Sequence, residues 1–289
     1  MRVRVGLGAL AVALAAAAPA AAGQIVFLRG QPNAAGGRVF AVSDQGGKER
    51  LVAGLTAINL GWSPAAKLLA FTQVRGSGNA KRYDVWVVGP GGKGLRRVTK
   101  DGATGFVTWA RGRLVVSRGG KLVVLSPQGA RLGKLSTAFG SADELAWSRD
   151  GRRIAYTSSG RLYSADAHGK GKRALTPARQ DFVVANPSWS PDGSRVAFSV
   201  ITQKALDNGL VETMAIWTVG ADGKGARRLT RGNVQDAAPT WSPDGRRIAF
   251  MRSPAAGGRS DLWVVGADGR GVHELTRSPS LDALPVWRR

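Results

Sequence analysis

From residue 24 onward, apolar and polar positions alternate with a period of two in short runs separated by Gly, Pro, Asp and Ser. Such alternation sends successive side chains to opposite faces of a strand, so it predicts β-structure, with no helical stretch evident after residue 22. The runs also repeat. Trp189 opens WSPDGSRVAFS, Trp241 opens WSPDGRRIAFM, Trp147 opens WSRDGRRIAYT and Trp62 opens WSPAAKLLAFT. Trp109 opens the shorter WARGRLVVS, and Trp287 opens WRR. Successive tryptophans lie 47, 38, 42, 52 and 46 residues apart. Those intervals bracket the roughly 40–45 residues of a four-stranded propeller blade.

Each unit reads as four strands. Strand A ends at the tryptophan, and Ser-Pro-Asp-Gly makes the turn: Pro presets φ, Asp bonds the local backbone and Gly accepts positive φ. Strand B is the R-I-A-F stretch, such as Arg247 to Phe250. Strand C is the run centred on Trp86, Trp217 or Trp263, and strand D follows a Gly-rich turn, as in Arg227 to Thr230. Gln24 to Leu28 matches a strand B with no strand A before it, and Leu284 to Trp287 matches a strand A with no strand B behind it. The last strand is therefore expected to complete the first blade. The expectation is an all-β, six-bladed propeller closed by its C-terminal strand.

Residues 1–22 have the order of a secretory signal: a basic start at Arg2 and Arg4, an apolar run from Val5 to Ala18, then small residues to Ala22. Cleavage after Ala22 is expected, leaving residues 23–289 as one propeller in the periplasm or outside the cell. With no cysteine in the chain, disulfides and thiolate metal sites are excluded. Setting aside Arg2 and Arg4, 40 Lys and Arg stand against 19 Asp and Glu, a formal charge of +21. That balance favours anionic partners.

The repeated W-S-P-D-G-x-x-[IV]-A-F, followed by D-[LV]-W-V-V and R-R-L-T, resembles the TolB-like family of six-bladed propellers. The resemblance implies a periplasmic protein that binds other envelope proteins. The small domain that precedes the propeller in the Tol-system protein is not expected in residues 23–289, which the repeats account for.

No catalytic apparatus is evident, and no cofactor or metal is expected. All nine tryptophans fall at repeat positions, six ending strand A and three centring strand C, so a stacking platform for sugars is disfavoured. Asp150, Asp192 and Asp244 are accounted for by the turn. His168 and His273 fall in turns of different units, and no G-x-S-x-G, Walker or H-E-x-x-H pattern occurs. An exported enzyme acting on a glycan or peptide is the alternative, as is a basic binder of polyanions or cell wall. Lys93, Arg96, Arg97, Lys170, Arg173, Lys224, Arg227, Arg228 and Arg270 cluster near strand D, where cations protect blade edges. They could equally form a belt for an anionic polymer or membrane surface; nucleic acid is not expected.

Strand order puts the A–B and C–D turns at one end of each unit and the B–C and D–A connections at the other. Irregularity gathers at the second end, in Val74 to Tyr83, Thr202 to Thr213 and Ser253 to Ser260. Variable loops on a rigid scaffold carry binding. The candidate partner-binding residues, at the expected channel mouth, are therefore Arg179, Asp181, Arg231, Asp236, Arg277 and Asp282, with a protein of the periplasm or envelope as partner and the chain a monomer. Ion pairing between neighbouring blades is the competing reading for the same six.

Overall fold

The structure, a computed structural model, describes residues 23–31, 36–119, 121–134, 144–178, 182–206, 209–256 and 258–288. The predicted signal segment and two candidate residues, Arg179 and Asp181, lie outside these. Among the described residues every regular element is a strand except two single 3-10 turns, Gly78–Ala80 and Pro90–Gly92. No helix among them is long and apolar enough to cross a membrane.

The unit predicted from the repeats is present. Val234–Trp241, Arg247–Pro254, Asp261–Gly266 and His273–Glu274 pair antiparallel in that order, with Trp241 opposite Ile248 and Trp263 opposite Glu274. The same succession runs through Phe182–Trp189, Arg195–Leu206, Gly209–Gly220 and Arg227–Arg228. It recurs in Glu144–Trp147 to Arg173–Ala174 and in Thr104–Ala110 to Arg131–Lys134. Strand D is often only two residues long because a threonine side chain takes over its ladder. Thr99, Thr176, Thr230 and Thr276 are buried, and their Oγ1 atoms accept the N–H groups of Val85, Leu162, Ile216 and Leu262 at 2.9–3.0 Å.

The core lies between successive four-stranded units. Ala197 and Ile216 of one unit pack against Trp241, Ile248 and Phe250 of the next, the two being joined into one sheet by a parallel bridge from Met214 to Gln235. Ile25, Phe27 and Val42 pack in the same way against Ala249, Leu262 and Val264. Strand B is therefore apolar on both faces: Ile248, Ala249 and Phe250 are all fully buried. Burying a side chain such as Ile or Phe contributes roughly 1.5–3 kcal/mol.

Leu281–Trp287 lies antiparallel beside Gln24–Gly30, with Trp287 opposite Ile25, Val286 opposite Val26 and Ala283 opposite Leu28. Both belong to a seven-stranded sheet that continues through Gly37–Ser43, Arg50–Trp62, Leu69–Arg75, Arg82–Val88 and Arg96–Arg97. The 13-residue strand Arg50–Trp62 serves two units: its start pairs with Gly37–Ser43 and its end with Leu69–Arg75.

One expectation is corrected. Thr202 to Thr213 is a continuation of the ladder more than a loop, because Arg195–Leu206 and Gly209–Gly220 stay paired out to Leu206 opposite Gly209. A two-residue connection suffices for such a hairpin, and the result is an arm that outruns the other B–C connections.

Candidate functional site

Three inner strands are joined to the strand before them through their terminal tryptophans, while the indole N–H groups of Trp62, Trp147 and Trp287 are buried without a partner among the described residues. The Trp109 indole N–H donates to the Gly61 carbonyl at 2.8 Å, Trp189 to Ala146 at 3.2 Å and Trp241 to Ser188 at 3.1 Å. In each case the acceptor immediately precedes the tryptophan of the preceding unit. The first residue of strand B covers the next ring: Arg153 stands 4.6 Å over Trp189, Arg195 4.8 Å over Trp241 and Arg247 5.1 Å over Trp287. Cation–π contacts of this kind add about 0.5–1 kcal/mol where exposed and more where desolvated. These tryptophans are structural, and so are the arginines that cap them.

Three residues before the tryptophan, the inner strand bulges. Asn186, Ala238 and Leu284 take positive φ of 53°, 54° and 49°, each followed by proline, and the register slips beside each of them. The bulge turns Asn186 sideways. Its amide donates to Glu144 at 3.0 Å and its carbonyl oxygen accepts from Ser199 and from the Ala238 N–H, both at 3.3 Å, tying three units together. Residues of all six tryptophan-ended strands, among them Leu60, Phe106, Leu145, Pro187, Pro239 and Pro285, border one cavity of about 280 Å³.

The six candidate residues differ in what they do. Asp236 and Asp282, at the start of their inner strands, are fully buried. Arg252 donates to both Asp236 oxygens, at 2.6 and 2.8 Å, and Arg29 to both Asp282 oxygens at 2.6 Å. Each guanidinium also lies over two aromatic rings, Phe27 and Phe40 for Arg29, Phe250 and Trp263 for Arg252. Burial pushes the Asp282 carboxyl above its ordinary range, against the hydrogen bond from Arg29. That same hydrogen bond raises the Arg29 pKa and keeps it charged. The pairs run between strands A and B of one sheet and use partners outside the six candidates, so they lock a sheet internally and do not tie neighbouring units. Arg231 and Arg277 are exposed, and Arg277 reaches Glu274 at 2.6 Å. Sequence reasoning missed Arg29 and Arg252, although each lies two residues after a strand-B phenylalanine.

The opposite end is built from uniform turns. Ser148 donates to Asp150 at 2.6 Å while accepting the Arg153 N–H at 2.9 Å, and Ser190 and Ser242 repeat the arrangement with Asp192 and Asp244. Hydrogen bonds from Ser190 and then Ser194 hold the Asp192 carboxyl down at about 2. Part of the basic charge has a use in assembly. Arg96 donates to the Pro127 carbonyl at 2.8 Å and Arg173 to Asp222 at 3.0 Å, and Arg227 likewise reaches Asp268, each in the C–D turn of the following unit. These three cations latch neighbouring sheets together. Among the described residues no group of three or more His, Cys, Asp or Glu could hold a metal ion.

A family model described as the TolB beta propeller domain matches residues 145–289. The chain belongs to the TolB propeller family. The Tol-Pal system protein TolB of Anaeromyxobacter dehalogenans is 40% identical over 98 residues, which are 33% of this chain and 20% of that protein. The chain thus spans a fifth of the length of such curated relatives. The crystal structure of TolB from Acinetobacter baumannii superposes with a TM-score of 0.71 at 17% identity, covering 92% of this chain and 66% of the other. Dipeptidyl-peptidase 5 of Porphyromonas gingivalis is 36% identical over 68 residues, 24% of this chain and 10% of that protein. The TolB propeller fold therefore carries more than one kind of biology, and role has to be argued from this chain's own surfaces.

Proposed function

We propose that this TolB-family chain is an exported, six-bladed propeller, closed where Leu281–Trp287 completes the first sheet, that binds a protein of the cell envelope without catalysing a reaction. The pairing of Leu281–Trp287 with Gln24–Gly30 and the cavity shared by the six inner strands support the ring. The Tol-Pal relative supports an envelope partner. Binding is assigned to the B–C and D–A end. The observation that carries this is the asymmetry between the two ends. One carries closed turns that are near-identical in the last three units, whereas the other bears the Arg195–Leu206 and Gly209–Gly220 arm, with exposed Thr202, Gln203 and Glu212, and the exposed Arg231 and Arg277. In this reading Arg179, Asp181, Arg231 and Arg277 meet the partner directly. Asp236 and Asp282 fix the strands from which the D–A connections spring.

Capture from an envelope extract tests it, with the full chain, a variant lacking residues 203–212, and the pair Arg231→Ala and Arg277→Ala. Both variants should release the partner while keeping the unfolding transition of the parent. Retention of the partner by both would end the assignment to this end.

A further inference from the structure

The turn-built end carries a dense set of exposed cations. At the loop end many cations are paired, Arg29 with Asp282, Arg75 and Arg97 with Asp84, Arg118 with Asp101 and Arg252 with Asp236, while Arg82, Lys100 and Arg231 are exposed. At the turn end, Arg152, Lys170, Lys224, Arg246 and Arg270 are exposed, and none has a described carboxylate within 4.0 Å. The aspartates among them are exposed as well, but each is held by hydrogen bonds within its own turn. Asp150 and Asp192 fold back onto Ser148 and Ser190 and onto the N–H groups of Arg152 and Ser194, and Asp222 and Asp268 accept from the N–H groups of Lys224 and Arg270. With exposed Lys67, Lys93, Arg111, Arg149 and Lys172 in the same set of turns, cations outnumber carboxylates at this end, so the field above it is positive.

The end is also level and stiff. The A–B turns close with one hydrogen bond each, from Gly151 to Ser148, Gly193 to Ser190 and Gly245 to Ser242, at 2.9 Å. The C–D turns close in the same way, from Gly169 to Asp166, Gly223 to Gly220 and Gly269 to Gly266, at 2.8–3.0 Å. Within a unit the two turns are bonded to one another, Ala167 to Arg152, Ala221 to Ser194 and Ala267 to Arg246, at 2.8–2.9 Å. Between units the Arg173 and Arg227 latches hold neighbours at a common height. In these three units the turns are of equal length and bonded in both directions, which gives an even, stiff surface.

We propose that the turn end is a docking surface for a planar anionic surface, namely the headgroups of an acidic phospholipid leaflet. A flat array of cations borne on separate units matches a plane of mobile phosphates. It offers no groove to track a polymer, and it has none of the interleaved aromatics that single-stranded nucleic acid requires. Near an acidic membrane each Lys or Arg contributes about 1 kcal/mol, a factor of about five in binding, and the attraction falls off within a Debye length. Docked in this way the chain would present its loop end away from the lipid.

The experiment is co-sedimentation of the full chain with vesicles at physiological salt. One set is phosphatidylcholine alone and the other contains about a third phosphatidylglycerol, which supplies the negative surface potential. The parent should sediment with the acidic vesicles only. A variant with Arg152→Gln, Lys224→Gln, Arg246→Gln and Arg270→Gln should bind them on the order of 100-fold more weakly. A variant with Arg82→Gln, Lys100→Gln, Arg231→Gln and Arg277→Gln, equal in charge but altered at the loop end, should bind as the parent does. Equal loss in both variants would overturn the proposal, since net charge without location would then suffice. Binding to soluble polyphosphate with no sedimentation on either vesicle would also overturn it, in favour of a polymer ligand. The envelope-capture experiment is independent of both outcomes.

Discussion

Arg29 and Asp282, 253 positions apart in the chain, meet in a two-armed ion pair with both bonds at 2.6 Å and the carboxylate fully buried. The contact stitches the last strand to the first through side chains as well as through the backbone ladder.

Replacing Asp282 with Asn should therefore destabilise the fold, though by less than the roughly 3–5 kcal/mol of a fully uncompensated buried charge, because Glu49 still accepts from Arg29. Arg277→Ala, at a side chain that is 78% exposed, should leave the denaturant midpoint unchanged. Urea unfolding of the two variants separates a structural carboxylate from a surface cation. Equal midpoints would contradict the buried pair.

Trp241→Phe should cost about 1–3 kcal/mol, because it keeps most of the apolar area and leaves the Ser188 carbonyl without its donor. In a double-mutant cycle with Arg195→Met, coupling is expected, since Arg195 lies over the same ring. Strict additivity would mean that the two contacts are independent of one another.

Acid stability should depend on Asp192. Its carboxyl is held at about 2 by hydrogen bonds from Ser190 and then Ser194, below the ordinary 3.8. A lowered carboxyl contributes stability that is fully present above its unfolded pKa and is lost as pH falls toward the folded value. Thermal unfolding of the parent should therefore weaken between about pH 4 and pH 2, and Asp192→Asn should flatten that part of the curve. A variant whose pH profile overlays the parent would remove Asp192 from the account.

Deleting residues 280–289 should expose the free edge of Gln24–Gly30, which is covered at present by Leu281–Trp287. Loss of a single sharp transition, with aggregation at the freed edge, is the expected result. A truncated chain that melts like the parent would argue against closure.

The strands and turns were legible because they rest on local rules. The Ser-Pro-Asp-Gly turns at Ser190 and Ser242 make the side-chain bonds their sequence implies. The candidate site was less legible because alternation reports polarity and not burial. Asp236 and Asp282 looked like exposed acids near a channel mouth, whereas the residues that neutralise Asp282 and Asp236 are Arg29 and Arg252, the first of them at the far end of the chain. The signal lay in two coincidences: an Asp five residues before a strand-A Trp, and an Arg two residues after a strand-B Phe. The inner-strand bulges at Asn186, Ala238 and Leu284 were likewise announced by the Pro that follows each. The arm at Thr202 to Thr213 was hidden because its apolar residues come in adjacent pairs, Ala205 with Leu206 and Leu210 with Val211, and so lack the period-two alternation of a half-buried strand.

The tryptophan bonds run in one rotational sense, each indole reaching back to the preceding strand and each arginine reaching forward over the next ring. Trp109, Trp189 and Trp241 each bring such a plug, whereas the buried indole N–H groups of Trp62, Trp147 and Trp287 find no partner among the described residues. Where the coupling is made, duplicating or dropping a whole repeat would keep plug and socket together, whereas breakage within a repeat would part them. Propellers assembled by such polar couplings can change in size by whole-repeat recombination, and point substitution at a coupling residue becomes the costlier evolutionary step.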